Sequence, residues 1–251
     1  MNINLLCENS IGRGAPRGIL AEWGFSAFIQ ARGINILFDS GHSGIYKNNA
    51  EKMGLDLQKT DFVVLSHRHW DHVDGLLKHD FNDRKKLIGH PRLFEELPED
   101  HAAFFENDFT IIKSEKPLEL APKVFFLGEI PRKTPFETGQ YNGLPIPDDT
   151  ALAVATSEGT VVVTGCSHSG VCNICECARD VTGKEIAAVV GGFHLLDAED
   201  GALDKTIEYL KNIMVKHLCP MHCVDFPAMA RFYKEFRITR YGAGNVIELP
   251  D

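Results

Sequence analysis

The sequence predicts an α+β chain in which two β-sheets pack face to face with helices on the outside. Two observations predict it. The first forty residues read as consecutive strands, with no helical pattern between them. Beyond residue 150, short apolar runs alternate with helical ones.

Asn2–Cys7 (NINLLC) is short and apolar, Leu20–Ala31 reads as a longer strand, and Arg32-Gly33 makes a turn into Ile34–Phe38. Asp61–Leu65 (DFVVL) is a compact buried strand, followed by a polar, histidine-rich stretch and a helix from Asp74. Residues 80–150 give weaker signals: Leu87–Ile88, a helical PRLFEEL, a strand-like FTIIK, then KVFFLGEI. Pro131–Asp149 is rich in Pro and Gly and reads as an ordered loop, of a length that usually serves function. Ala151–Ala155 and Thr160–Val163 are strands, Val171–Val181 a helix and Ile186–Val190 a strand. Asp204–His217 and Phe226–Phe236 are helices, and Val246–Leu249 closes the chain as a strand.

With 251 residues, 44% of them hydrophobic and 24% charged, the composition is that of an ordinary globular chain. A chain of this length buries roughly 70–75% of its unfolded surface and needs no disulfide staples. The net charge of −9 counts against a general nucleic-acid binder, which needs a basic surface, while leaving room for a small anionic substrate. The start, MNINLLCENS, lacks a secretory pattern, and no apolar run approaches a membrane span. Seven cysteines, an odd number, fit a reducing cytoplasm. The expectation is one cytoplasmic domain over residues 1–251, without nucleic-acid or membrane partners.

Ser66-His67-Arg68-His69-Trp70-Asp71-His72 follows directly on DFVVL. Four metal-capable side chains within six residues, at the carboxyl end of a buried strand, have no ready structural explanation. In an extended stretch His67, His69 and Asp71 point to one side, and His72 joins them if the chain turns helical there. Imidazole with carboxylate suits zinc, iron or manganese. Three further histidines follow apolar strands: His168 in VVVTGCSHSG, His194 in AAVVGGFHLL and His222 in HLCPMHCVD. Strand carboxyl ends are where ligands gather in α/β layers.

The His-x-His-x-Asp-His run, preceded by FDSG and followed by strand-end histidines, resembles the metallo-β-lactamase superfamily. The resemblance implies a four-layer αββα sandwich over essentially the whole chain and a site for one or two divalent metal ions, zinc first. His67, His69, Asp71 and His72 match the first ligands, His168 the next and His222 the last. Asp39, ending ILFD, matches a buried aspartate beneath the metals, and Asp71 and Asp39 are the carboxylates assigned to catalysis. His194 stands where many members carry a bridging Asp or a Cys, which makes double occupancy less certain. LGEIPRKTPFE (127–137), PDDTALAV (147–154), TGCSHSG (164–170), GGFHL (192–196) and the terminal GAGN are similar to one branch. That branch is the archaeal-type dihydropterin-6-methyl-ribofuranosylaminobenzene-phosphate synthase.

Cys172, Cys175 and Cys177 form a C-x-x-C-x-C run that invites an iron–sulfur or zinc reading. Their place on a helix favours packing, since free cysteine is a small hydrophobe. Cys166 and Cys223 adjoin the candidate ligands and are expected beside the site, not as ligands. Asp148-Asp149 reads equally as a pair of catalytic carboxylates or as the polar end of a loop. Arg132 is the candidate substrate-binding residue, with Lys133 and Glu137 beside it in the loop. His42 could face the site, and His79, His90, His101 and His217 read as ordinary. The metal site supports hydrolysis of an ester, phosphoester or amide-like bond. The branch resemblance implies a transferase condensing a dihydropterin diphosphate with a ribofuranosylaminobenzene phosphate. A redox or metal-binding module built on the cysteines is the third class.

Overall fold

β-Branched and aromatic residues set the strands, and the computed structural model describes residues 1–137, 140–141, 143–196 and 201–251. The strands are β1 (Asn2–Cys7), β2 (Ser26–Ala31), β3 (Ile34–Phe38), β4 (Phe62–Val64), β5 (Lys86–Gly89), β6 (Thr110–Lys113), β7 (Leu118–Ala121) and β8 (Val124–Phe126). They continue as β9 (Gln140–Tyr141), β10 (Leu144–Pro145), β11 (Ala151–Ala155), β12 (Thr160–Thr164), β13 (Ile186–Gly192), β14 (His217–Met221) and β15 (Val246–Glu248). The helices are α1 (Ile45–Lys52), α2 (Trp70–Val73), α3 (Pro91–Glu96), α4 (Glu99–Asp108), α5 (Val171–Thr182), α6 (Ala202–Asn212) and α7 (Phe226–Phe236). Two compact units result: Met1–Glu115 with Tyr241–Asp251, and Lys116–Arg240.

The first unit holds a seven-stranded sheet in the order β15-β1-β2-β3-β4-β5-β6. The β2–β3 hairpin closes through Arg32 and Gly33, both at positive φ (49° and 78°), the backbone that a tight two-residue turn with matching twist requires. From β3 onward the strands run parallel, and each crossover carries helical structure. One apolar cluster, including Phe28, Leu37, Val63, Leu65, Leu87 and Phe105, fills this unit.

The second unit carries a six-stranded sheet, β14-β13-β12-β11-β8-β7. Every residue of β11, β12 and β13 is buried. That burial explains why ALAVA, TVVVT and IAAVVGG are continuous apolar runs without polar alternation. Pro220 lies in β14, at the sheet's edge, where a residue without an N–H costs no ladder bond on the outer side. The cluster of this unit includes Val162, Val189, Ile207, Leu210 and Phe232.

Three sequence expectations need correcting. Only Ser26–Ala31 of the expected strand Leu20–Ala31 is extended. The helix expected from Asp74 begins at Trp70, and Asp74–Lys78 continues as a 3-10 turn. The helix expected over Asp204–His217 stops at Asn212, where Met214 takes a left-handed φ of 52° and frees His217 to begin β14. Strand β7 and helix α4 carried too little apolar periodicity to be read. The expected Pro131–Asp149 loop includes residues 138, 139 and 142, which lie outside the described residues.

Candidate metal centre

In the first unit the site grows out of β3 and β4, neighbouring parallel strands that both end at the same edge. Asp39, one residue past β3, is fully buried and left-handed at φ 54°. A non-glycine residue in that region costs of order 1–3 kcal/mol and persists where its surroundings hold it. What holds it is a set of donors. Ser66 donates to the two Asp39 oxygens, N–H to Oδ1 and hydroxyl to Oδ2, each at 2.7 Å. His72 Nδ1 lies 2.7 Å from Asp39 Oδ2, and His67 Nδ1 lies 2.9 Å from Ser66 Oγ.

Because the Ser66 hydroxyl proton goes to Asp39, the His67 Nδ1–H donates to Ser66 Oγ. The His72 Nδ1–H donates to Asp39 directly. Both rings therefore carry their proton on Nδ1, and Nε2 is the nitrogen each could present to a cation. His67 and His72 are fully buried, with ring centroids 4.2 Å apart, and the His69 ring stands 4.6 Å from that of His67. Asp71 Oδ2 is 3.9 Å from His72 Nε2. The structure thus brings together the four residues of the run. Extended alternation explains only His67 and His69, however. Asp71 and His72 are neighbours on α2, and one turn of helix replaces the alternation the sequence suggested.

In the second unit the candidates sit past the ends of β12, β13 and β14. Ser167, His194 and His222 all have left-handed backbones, at φ 60°, 50° and 55°. Such clustering marks functional loops, and no residue type announces it in the sequence. The His168 and His194 rings lie 4.3 Å apart. Cys223 Sγ accepts from the His194 backbone N–H at 3.2 Å and lies 3.3 Å from the Cys166 carbonyl oxygen. Burial would lower the His194 pKa, but its hydrogen bond and charge interaction with Cys223 raise it. Cys166, His222 and Cys223 form a group of three possible ligands.

Asp149 is fully buried, and its Oδ2 accepts both the backbone N–H of Ser169, at 2.9 Å, and the Ser169 hydroxyl. Burial pushes its carboxyl up to about 6, against those hydrogen bonds. Asp149 therefore braces the loop that carries His168. Arg132 is placed differently from the sequence expectation: its two terminal nitrogens donate to the carbonyls of Ile130 and, at 3.0 Å, Ile146. Two of the five guanidinium N–H donors thereby hold the loop. Lys133 pairs with Asp180. Glu137 accepts from the N–H groups of Cys172 and Asn173 at 3.0 and 2.9 Å, capping α5, whose own N-cap is Gly170.

Cys172, Cys175 and Cys177 lie in the apolar cluster of the second unit. Burial pushes all three thiols up, Cys177 to about 11 and the other two further. Thiols so held are inert, because the thiolate is the reactive form. Changing all three to Ala is expected to leave metal content unchanged and to lower stability through lost packing alone. Alkylation of the native protein at pH 8 should leave them unmodified. Loss of one metal equivalent in the triple variant would establish a separate cluster site.

His42 is exposed, and its ring meets Trp70 edge-on at 4.7 Å. His79 bonds Asp108 at 3.1 Å, His90 caps α3, and His101 lies 3.7 Å from Asp74. His217 is exposed at the start of β14. Ser66 and Ser169 are the site-building residues that sequence reasoning passed over. Each is an ordinary polar neighbour of a histidine, with no signal beyond that adjacency. No helix among the described residues is long and apolar enough to cross a membrane.

Residues 24–174 match the profile of the Metallo-beta-lactamase superfamily. A curated relative from Methanocaldococcus jannaschii is 30% identical, over 99% of this chain and 96% of its own. It is named 7,8-dihydropterin-6-methyl-4-(beta-D-ribofuranosyl)-aminobenzene-5'-phosphate synthase. A second protein of that archaeon, uncharacterized, is 30% identical over 91% of this chain and 93% of its own. Among solved structures, a metal-dependent hydrolase of the beta-lactamase superfamily matches with a TM-score of 0.84, 30% identity and 100% of both chains covered. The fold expected from the His-x-His-x-Asp-His run is thereby the fold of the chain.

Proposed function

Because the chain belongs to the metallo-beta-lactamase superfamily, we propose that it is a metal-dependent hydrolase of a small, phosphorylated, anionic substrate. One or two divalent ions, zinc before iron or manganese, would be held by His67, His69, Asp71, His72, His168 and His222, with His194 as a further ligand. The observation that carries this reading is the hydrogen-bonded set Asp39–Ser66–His67 and Asp39–His72, which fixes the tautomer of two buried imidazoles. An imidazole backed by a carboxylate is the arrangement that orients metal ligands and raises their basicity. The donor set fits the ion: imidazole and carboxylate in the first unit and imidazole in the second.

When bound, such ions polarise a substrate oxygen and make water a nucleophile near neutral pH. The chain's own residues do the rest. Asp39 and Ser66 hold the Nδ1 protons, so that in the neutral rings Nε2 of His67 and His72 is the nitrogen left for an ion. Asp71 offers Oδ2 as a proton acceptor, 3.9 Å from the His72 imidazole edge. Asp149 steadies the His168 loop through Ser169. The relative's full-length match favours a second reading, in which the same site serves a transferase on a dihydropterin diphosphate.

The metal-loaded chain should be assayed on phosphomonoesters and phosphodiesters beside a dihydropterin diphosphate with a ribofuranosylaminobenzene phosphate. Release of phosphate or alcohol, dependent on added zinc, is the expected result. Condensation without hydrolysis would replace it by the transferase. A chain that takes up no metal after chelation and refilling would defeat both.

A further inference from the structure

Cys166 and Cys223 approach each other from two strands that flank a third. The sheet runs β14-β13-β12, so the loops after β12 and β14 both lie beside the end of β13. Cys166 stands two residues past β12 and Cys223 two past β14. At the end of β13 is Gly192, where a β-carbon would come within 2.6 Å of Cys223 Sγ and 3.2 Å of Cys166 Cα. Glycine there leaves the space in which the Cys223 thiol sits. His222 is left-handed at φ 55°, which breaks the up-and-down alternation of a strand. Adjacent residues His222 and Cys223 can consequently serve one point. One ligand atom from each of Cys166, His222 and Cys223 lies within 4.8 Å of the other two, and all three residues are buried.

The pair is as buried as the α5 cysteines but differs from them in its neighbours. Cys172, Cys175 and Cys177 belong to the apolar cluster, whereas Cys166 and Cys223 do not. The pair sits instead among backbone polar atoms and imidazole. Two sulfurs and one ring nitrogen within reach of a single point form a donor set that zinc accepts and that softer divalent cations prefer.

We propose that Cys166, His222 and Cys223 form a sulfur-containing ligand set for a thiophilic divalent cation of the zinc–cadmium class. Each ligating thiol gives up its proton to solvent as its sulfur binds, so uptake is tighter at higher pH. The inference rests on the metal-enzyme reading through His222 and deepens it, because sulfur would join imidazole among the ligands that the second unit supplies.

The test is cobalt(II) added to the full, reduced, chelator-stripped chain. Thiolate-to-cobalt charge-transfer absorption in the near ultraviolet is expected. It should weaken in Cys166→Ser and in Cys223→Ser, vanish in the double variant, and persist in Cys172→Ser. X-ray absorption on zinc-loaded wild type covers the case in which a variant fails to fold, with sulfur expected at about 2.3 Å. Bound cobalt without charge transfer, or a zinc shell of nitrogen and oxygen only, overturns the sulfur set while leaving the hydrolase reading intact. An air-formed Cys166–Cys223 disulfide, with uptake after reduction unaffected by the double variant, also overturns it.

Discussion

A chain carrying both His67→Ala and His69→Ala is expected to lose at least one bound ion and all zinc-dependent turnover. Each imidazole would contribute a direct bond, and structural zinc in zinc-finger peptides is held by about 10–16 kcal/mol in total. Removing two of the proposed ligands should therefore drop affinity by orders of magnitude. Asp39→Asn supplies the graded comparison. The amide would turn an N–H₂ toward Ser66 or His72, both donors at 2.7 Å, so one imidazole loses its orienting acceptor. Such partners are typically worth 10–100-fold in metal affinity. The buried clash of donors should also cost about 1–3 kcal/mol of stability. Elemental analysis after dialysis against zinc, with circular dichroism to check folding, reads both. Unchanged metal content in the double histidine variant would remove the His-x-His run from the site.

The ligand run was legible because nothing in folding demands four metal-capable side chains directly after a buried strand. The strands around it were legible where burial dictated composition, as in TVVVT and IAAVVGG, whose every residue is buried. Boundaries failed where a single backbone angle decided them. Met214 ends α6 at φ 52°, and methionine carries no sign of that conformation. Helix α4 failed for another reason: of its ten residues only Phe105 is buried, so no apolar stripe repeats along it.

The supporting atoms around the ligands were harder to read than the ligands. Ser66 and Asp149 act through hydrogen bonds to residues distant in sequence, and only three-dimensional proximity reveals the pairing. Arg132 carries a structural duty that its sequence context does not announce. A basic side chain in a long loop reads as an anion receptor, yet a loop must also satisfy its own carbonyls. The guanidinium answers that need at Ile130 and Ile146.

Glu137 makes the same point with a larger expected effect. Helix α5 starts at Gly170, which has no side chain to cap it, and Glu137 supplies a cap from across the loop. Its oxygens take the Cys172 and Asn173 N–H groups and the Thr134 hydroxyl. Asn173 returns the contact by accepting from the backbone of Lys133 and Thr134, each at 2.7 Å. Glu137→Ala leaves two helix N–H groups without acceptors in a half-buried place, so a loss of about 2–4 kcal/mol is expected. Gly170→Ala should cost a similar amount, because φ is 95° and the new β-carbon would run into the Glu137 carboxyl. Burial raises the Glu137 pKa despite its donors. The folded state thus binds this proton more tightly than the unfolded chain does. Its contribution is complete below the ordinary glutamate range and is lost as pH rises through the raised value. Glu137→Gln, neutral at every pH, should flatten that part of the stability profile while keeping one acceptor for the helix. Urea midpoints across pH 4 to 8 read all three variants. A Glu137→Ala midpoint within about 0.5 kcal/mol of wild type, the range of inert surface changes, would show that α5 is held without this cap.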